Sequence, residues 1–228
     1  YPHLSPYAYC GNDPVNFVDP TGMIIEENSL EEWERLKGII ENKMNSLSAS
    51  INNIYTKAYK KGWSAEKLDK KLGERLERVS RFNTILEAMD ILEGSSQVYS
   101  LQKTLTKGSL TLNSQNNIII INYTSAANFV HEVIHGGQFE RGDIAFAPNG
   151  NTYFQDIYDE IEAYKAQYAF NPSSVSLLPS TSAVTGFDSI NKTWIQGLKD
   201  NAGTLIYAPG NNNNTGIISI GINATKEM

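Results

Sequence analysis

Three features of this 228-residue sequence predict an α+β fold. Two long amphipathic stretches with helical periodicity come first. Short strand-like segments follow between Val98 and Tyr123, and further helical stretches come after them. Apolar residues make up 40% of the chain and charged residues 19%, which is typical of a globular protein with a buried core.

The first two helices are expected to form a long antiparallel hairpin. Ser29 and Glu32 have the spacing of a capping box, and apolar residues then recur at steps of three and four until Gly62 ends the helix. Ser64 is expected to cap a second helix that ends at Gly94. The link between the helices is short, so they should pack side by side.

A small antiparallel sheet is expected next. Residues 98–105 and 109–112 alternate in polarity. The β-branched run at Ile118–Tyr123 is typical of a buried strand.

Two helices should follow the sheet. Thr124 or Ser125 is placed to cap the first, and the adjacent Gly136 and Gly137 are expected to end it. The second is expected over 153–170. The remainder is rich in loop-forming residues, with one helix expected over 188–198 and one strand over 217–222.

Composition excludes several classes of function. The net charge is −6 and the sequence has no basic run, which argues against a nucleic-acid or anionic-membrane binder. No apolar run is long enough to span a bilayer. Cys10 is the only cysteine, so an internal disulfide, a zinc ribbon and a CxxC site are excluded.

The segment His131-Glu132-Val133-Ile134-His135 has the spacing of a zinc site. Residues four apart lie on one face of a helix, so two imidazoles can hold one ion. Glu132 lies one step round the helix, where it can act as general base on a water molecule. The alternative is that these side chains lie on an exposed helix face, where they contact solvent and bind no ion.

A third zinc ligand has to come from a carboxylate, because no other histidine outside the N-terminal arm is available and Arg141 excludes HExxHxxGxxH. The helix over 153–170 offers four acids. Its apolar stripe is expected to face the core, and Glu160 lies nearest the edge of that stripe. Asp156 is intermediate, whereas Asp159 and Glu162 are expected to point to solvent.

Residues 7–23 resemble the C-terminal end of an RHS repeat-associated core, with Tyr7-Ala8-Tyr9, Asn12-Asp13-Pro14 and Asp19-Pro20-Thr21-Gly22-Met23. The resemblance implies that residues 1–23 close an RHS shell and that a toxin tip follows. It also implies delivery or secretion from a bacterial cell, and a cognate immunity protein. Asp19 matches a self-cleavage aspartate of that family, whose upstream partner motif is absent here.

Residues 118–170 are similar to gluzincin metallopeptidases. The similarity covers the strand, the His131-Glu132-x-x-His135 helix and Glu160-Ile161-Glu162-Ala163-Tyr164, which resembles the Glu-x-x-Ala-Asp segment of that family. The resemblance again indicates Glu160 as the third zinc ligand, although Tyr164 stands where that family usually has an Asp. The resemblance implies a zincin-like domain over 24–228, made of a hairpin over 24–94, a catalytic core over 98–170 and a loop-rich part over 171–228.

The sequence therefore predicts a zinc-dependent endopeptidase that acts on a peptide or protein, with Ile118–Tyr123 expected to pair with an extended substrate. Tyr153, Tyr158 and Tyr164 are unranked candidates for oxyanion stabilisation. One alternative is a non-catalytic adaptor that binds a partner through the helical hairpin. Another is a hydrolase acting on a different amide, such as one in the cell wall.

We predict that residues 1–23 are dispensable for folding of the rest, because they resemble the end of another domain. A chain starting at Ile24 should melt close to the full chain. Loss of a weakly docked arm costs only a few degrees, so a drop of more than about 10 °C would show that this segment belongs to the core.

Overall fold

The computed structural model describes residues 25–146, 150, 152–154 and 157–207, and the backbone alone for 152–154. Within this part, seven α-helices and a small mixed sheet confirm the α+β class. None of the described helices is long and apolar enough to cross a membrane. The predictions for 1–23, Asp156 and 217–222 lie outside the described residues.

The N-terminal hairpin is made of α1 (Glu27–Lys61), α2 (Ala65–Leu72) and α3 (Arg75–Glu93). Helices α1 and α3 are antiparallel, as shown by the Trp33 indole, which donates a hydrogen bond of 2.7 Å to Glu93 Oε1. The single second helix expected here is wrong, since Gly73 interrupts it at φ 49°. Left-handed Gly62 ends α1 and Ser64 caps α2, as predicted.

The capping box expected at Ser29 is also wrong. Helix α1 starts two residues earlier, at Glu27, and Ser29 is buried within its first turn. The Ser29 hydroxyl instead accepts a hydrogen bond of 2.9 Å from the backbone N–H of Leu101. It therefore ties α1 to the neighbouring strand rather than capping the helix.

The sheet consists of β1 (Val98–Lys103), β2 (Ser109–Asn113) and β3 (Ile118–Tyr123) in the order β1-β3-β2. Strands β2 and β3 are antiparallel as predicted, but β1 runs parallel to β3. The connection after β1 crosses the end of β3, where the Thr104 N–H donates to the Tyr123 carbonyl at 2.8 Å. At the outer edge of β1, buried Ile25 forms a parallel bridge with Tyr99.

Helix α4 (Ala126–Arg141) carries the HExxH motif, and Ser125 caps it as predicted. The expected end at Gly136 and Gly137 is wrong, because the helix continues to Arg141. Both glycines face α3. A Cβ on Gly136 would lie 2.8 Å from a Leu92 methyl group, and one on Gly137 would lie 3.0 Å from Ala88. They therefore serve close helix packing, not helix termination.

Helix α5 (Ile157–Phe170) begins later than expected. Residues 153 and 154 belong instead to β5 (Thr152–Phe154), which pairs antiparallel with β4 (Ile144–Phe146). A single core joins α1, α3, the sheet, α4 and α5, so the hairpin is not a separate unit.

The last described part packs on α5 through a second apolar cluster. It contains α6 (Ser173–Ser176), a 3₁₀ turn (Phe187–Ser189) and α7 (Lys192–Gln196). The continuous helix expected over 188–198 is wrong, because Asn191 starts a new helix by accepting a hydrogen bond from the Trp194 N–H.

We predict that Gly136→Val destabilises the protein, because the added atoms overlap the buried side chain of Leu92. Overpacking of this kind costs about 1–3 kcal/mol, which lowers the melting temperature by several degrees in a chain of this size. Gly38→Val is the matched control, since a Cβ on Gly38 meets nothing within 4 Å. Equal melting temperatures for the two variants would contradict this view of the α3–α4 contact.

Candidate metal centre

Three buried side chains meet between α4 and α5. His131 and His135 project from one face of α4, and Glu160 comes from the first turn of α5. The two Nε2 atoms are 3.0 Å apart. Glu160 Oε2 lies 3.4 Å from Nε2 of His131, and Oε1 lies 3.6 Å from Nε2 of His135. The structure thus brings together the three residues singled out by the sequence.

This arrangement fits a zinc ion. Ligands bound tetrahedrally to one zinc at about 2.0–2.2 Å stand roughly 3.3 Å apart, close to the observed spacings. Among the described residues, Glu160 Oε2 is buried without a hydrogen-bond partner of good geometry. Because buried polar atoms are rarely left unsatisfied, the orphaned carboxylate oxygen is a further sign that the group is built around a cation.

Gln138 fixes the ring of His135. The Gln138 amide nitrogen donates to the Asp159 carbonyl at 3.0 Å and to Glu162 at 2.9 Å, so its oxygen faces Nδ1 of His135 at 2.6 Å. Nδ1 therefore carries the proton and Nε2 presents its lone pair. A partner on the second ring nitrogen is the usual companion of a metal-binding histidine.

The electrostatics of the cluster keep His135 neutral and Glu160 charged. Burial lowers the pKa of His135 to about 4, so this ring is neutral at physiological pH. Burial opposes the charged forms of Glu160 and His131 as well. The two histidines nevertheless hold the pKa of Glu160 below its usual range, and Glu160 raises the pKa of His131. Glu160 therefore stays a carboxylate, the form that binds metals.

Glu132 is buried beside the cluster and is held by Asn128. The Asn128 amide nitrogen donates to Glu132 Oε1 at 3.1 Å, and its oxygen accepts from the Thr124 N–H at 3.0 Å. Burial raises the pKa of Glu132 to about 7, which suits a general base at neutral pH. Gly108 lies against both side chains, since a Cβ there would be 2.2 Å from Asn128 and 2.5 Å from Glu132.

Of the two proposed oxyanion residues whose side chains the structure describes, Tyr164 is at the cluster and Tyr158 is not. The Tyr164 ring packs edge-on against His131 with centroids 4.4 Å apart, and burial raises the pKa of Tyr164. Tyr158 is 65% exposed and lines a separate surface pocket with Arg81 and Lys165. The side chain of Tyr153 lies outside the described part of the chain.

Sequence reasoning missed Tyr207. Its hydroxyl approaches Glu160 and Tyr164, and burial together with Glu160 raises its pKa well above the usual value. A hairpin in which Lys199 pairs with Leu205 leads the chain to this point. No local pattern marks Tyr207, since its place depends on how the C-terminal part packs on α5.

The expected burial of α5 was partly wrong. Asp159, expected to face solvent, is buried, and Glu162 accepts hydrogen bonds from Gln138 and Arg141. The reason is that small residues, Ala163 and Ala166, take the most buried positions and let α5 lie close to its neighbours. Gln138 was also missed, although its position three residues after His135 placed it on the same helix face.

We predict that Gln138→Met weakens zinc binding by about 10- to 100-fold, because the side chain keeps its length but no longer orients His135. Competition with a chromophoric chelator measures the affinity. Gln138→Glu keeps an acceptor for Nδ1 and should recover part of the loss. Equal affinities for wild type and Gln138→Met would show that this hydrogen bond does not support the centre.

No family model matches this chain, and neither a curated protein nor a solved structure is similar enough to be matched. The resemblances to the RHS core and to gluzincins therefore rest on the residues that carry them.

Proposed function

We propose that this protein is a zinc-dependent hydrolase of the metallopeptidase type. The observation that carries the proposal is the convergence of His131, His135 and Glu160, whose ligand atoms all lie within 4.8 Å of one another in a buried space. Glu132, a potential base, is beside them on the same helix. Zinc bound by this group would supply Lewis acidity toward a carbonyl oxygen and a water molecule.

The side chains around the proposed zinc site have different roles in the reaction. Glu132 takes a proton from the attacking water as its oxygen bonds to the carbonyl carbon, and it returns that proton to the leaving amine as the C–N bond breaks. Asn128 holds the carboxylate of Glu132 in place. Tyr164 and Tyr207 are the nearby hydroxyls suited to stabilise the negative charge on the former carbonyl oxygen.

An extended substrate would pair with the Leu110 end of β2 and not with β3, because the Leu112 end of the same edge is already bonded within the chain. The earlier expectation for Ile118–Tyr123 is wrong, because β3 is paired on both sides. The Leu112 N–H points away from β3 and donates to the Gly150 carbonyl at 2.9 Å. By the alternation of a strand, Leu110 also presents its backbone polar groups at this edge. The edge leads directly to Gly108, which lies against Glu132.

The biological setting proposed here follows from residues 7–23. A metallopeptidase that comes after an RHS-like ending would be the toxin tip of a bacterial effector, delivered with its shell and restrained by an immunity protein in the producing cell. If the protein were instead an adaptor that binds through its helical hairpin, it would need neither the buried ligands nor Glu132.

We predict that the protein binds one zinc and that Glu160→Ala abolishes stoichiometric binding. Glu162→Ala is the comparison on the same helix: Gln138 loses one of its two acceptors but keeps its bond to the Asp159 carbonyl, so stoichiometric zinc should remain even if the affinity falls. Metal analysis after purification with zinc measures both variants. The ligand assignment is wrong if Glu160→Ala keeps its zinc while Glu162→Ala loses it.

We predict that Glu132→Gln keeps zinc and the fold but loses hydrolysis by at least about 10²-fold, because shape is preserved and basicity is removed. The measurements are metal content, thermal melting, cleavage of a denatured protein substrate and toxicity on expression in bacteria. A folded, zinc-loaded Glu132→Gln protein that is as toxic as wild type would favour an adaptor in which zinc is a structural clip.

A further inference from the structure

The cations of this acidic protein are concentrated at one end of the helical hairpin. Residues 57–71, here called the hairpin tip, contain six lysines and two acids, Glu66 and Asp69, in a chain whose net charge is −6. The tip therefore has a net charge of +4. All six lysines are exposed, and they are Lys57, Lys60, Lys61, Lys67, Lys70 and Lys71.

The lysines of the hairpin tip do not stabilise the described structure through ion pairs. Within the described residues, none of the six takes part in an ion pair. In the part of the chain that the structure describes, one side-chain contact involves them: Lys67 Nζ lies 5.0 Å from the centre of the Trp63 ring. The positive charge is thus available to an external partner.

Aromatic side chains accompany these lysines. Tyr59 is 91% exposed and Tyr55 is 44% exposed, both on the last turns of α1. Trp63 is half-buried in the short link between α1 and α2, whereas the other two tryptophans, Trp33 and Trp194, are buried. Tyrosine and tryptophan next to lysine are the residues that favour the interface between lipid headgroups and acyl chains.

The hairpin tip lies beyond the part of α1 that packs against the main core. Helix α1 has 35 residues, and its contacts with the main core stop at Leu47. Beyond that point α1 contacts α2, and Ile51, Ala58 and Leu72 are buried without belonging to the main core. At about 1.5 Å per residue, the tip begins about 15 Å along the helix from Leu47.

We propose that the hairpin tip docks this protein on an anionic lipid bilayer, with Trp63 and Tyr59 in the headgroup region and the lysines around them. A flat anionic surface meets the tip alone and leaves the acidic remainder of the chain at a distance. A long nucleic acid would extend past the tip and be repelled by that remainder. The tip also lacks arginine, the residue suited to bidentate contacts with phosphates and bases.

The proposal is independent of the hydrolase activity. Binding to mixed phosphatidylcholine–phosphatidylserine vesicles is measured by co-sedimentation at about 0.15 M salt. We expect binding there, none to pure phosphatidylcholine, and a blue shift of tryptophan fluorescence that Trp63→Phe removes. Glu132→Gln should bind like wild type, which separates this result from any failure of the enzymatic proposal.

Lys60→Gln/Lys61→Gln/Lys67→Gln is the test variant. Each lysine near an anionic bilayer contributes about fivefold to binding, so losing three should weaken it by about 10²-fold. Lys103→Gln/Lys192→Gln/Lys199→Gln makes the same charge change elsewhere and should bind like wild type. No vesicle binding, or equal loss in both triple variants, overturns the proposal. Tip-dependent binding of an oligonucleotide without binding of vesicles would assign the tip to nucleic acid instead.

Discussion

The rest of the structure depends on the close approach of α4 to its neighbours. His131, His135 and Glu160 can share one ion only if α4 and α5 bring their buried faces within a few ångströms. Residues without bulky side chains allow this: Gly136 and Gly137 admit α3 on one side, and Ala163 and Ala166 lie in the core on α5. The surrounding core of α1, α3 and the sheet then holds the helices at this distance.

Burial also decides the chemistry of the cluster. Removal of water lowers the pKa of His135 and raises that of Glu132, so that in the proposed centre one would be a neutral ligand and the other a base near neutrality. The charges of Glu160 and the histidines offset part of the desolvation cost, and a bound cation would offset more. The hairpin tip shows the opposite arrangement, with exposed lysines that form no ion pair within the described part of the chain. The buried cluster and the exposed basic tip therefore lie in different parts of the same chain.

Local periodicity was enough to place His131, Glu132 and His135 on a helix and Glu160 on a buried face of α5, although the same reasoning wrongly placed Asp159 in solvent. It failed where tertiary packing outweighs local preference. Gly136 and Gly137 look like a helix end but serve a helix contact, and the strand pattern cannot tell whether β1 runs parallel to β3. Tyr207 could not be predicted, since only the folded C-terminal part brings it to Glu160. The net charge of the whole chain argued against an anionic-membrane binder. It did not reveal the local excess of lysines at the hairpin tip, which are dispersed at helical spacing.

The most direct test of the central claim is the zinc K-edge X-ray absorption spectrum of the wild-type protein. The geometry predicts one zinc per chain with two imidazole nitrogens and oxygen donors at about 2.0–2.2 Å and no sulfur. The imidazole contribution should fall by half in His135→Ala if any metal remains bound. A protein that carries no stoichiometric zinc, or a spectrum with fewer than two imidazoles in the wild type, would contradict the metal centre.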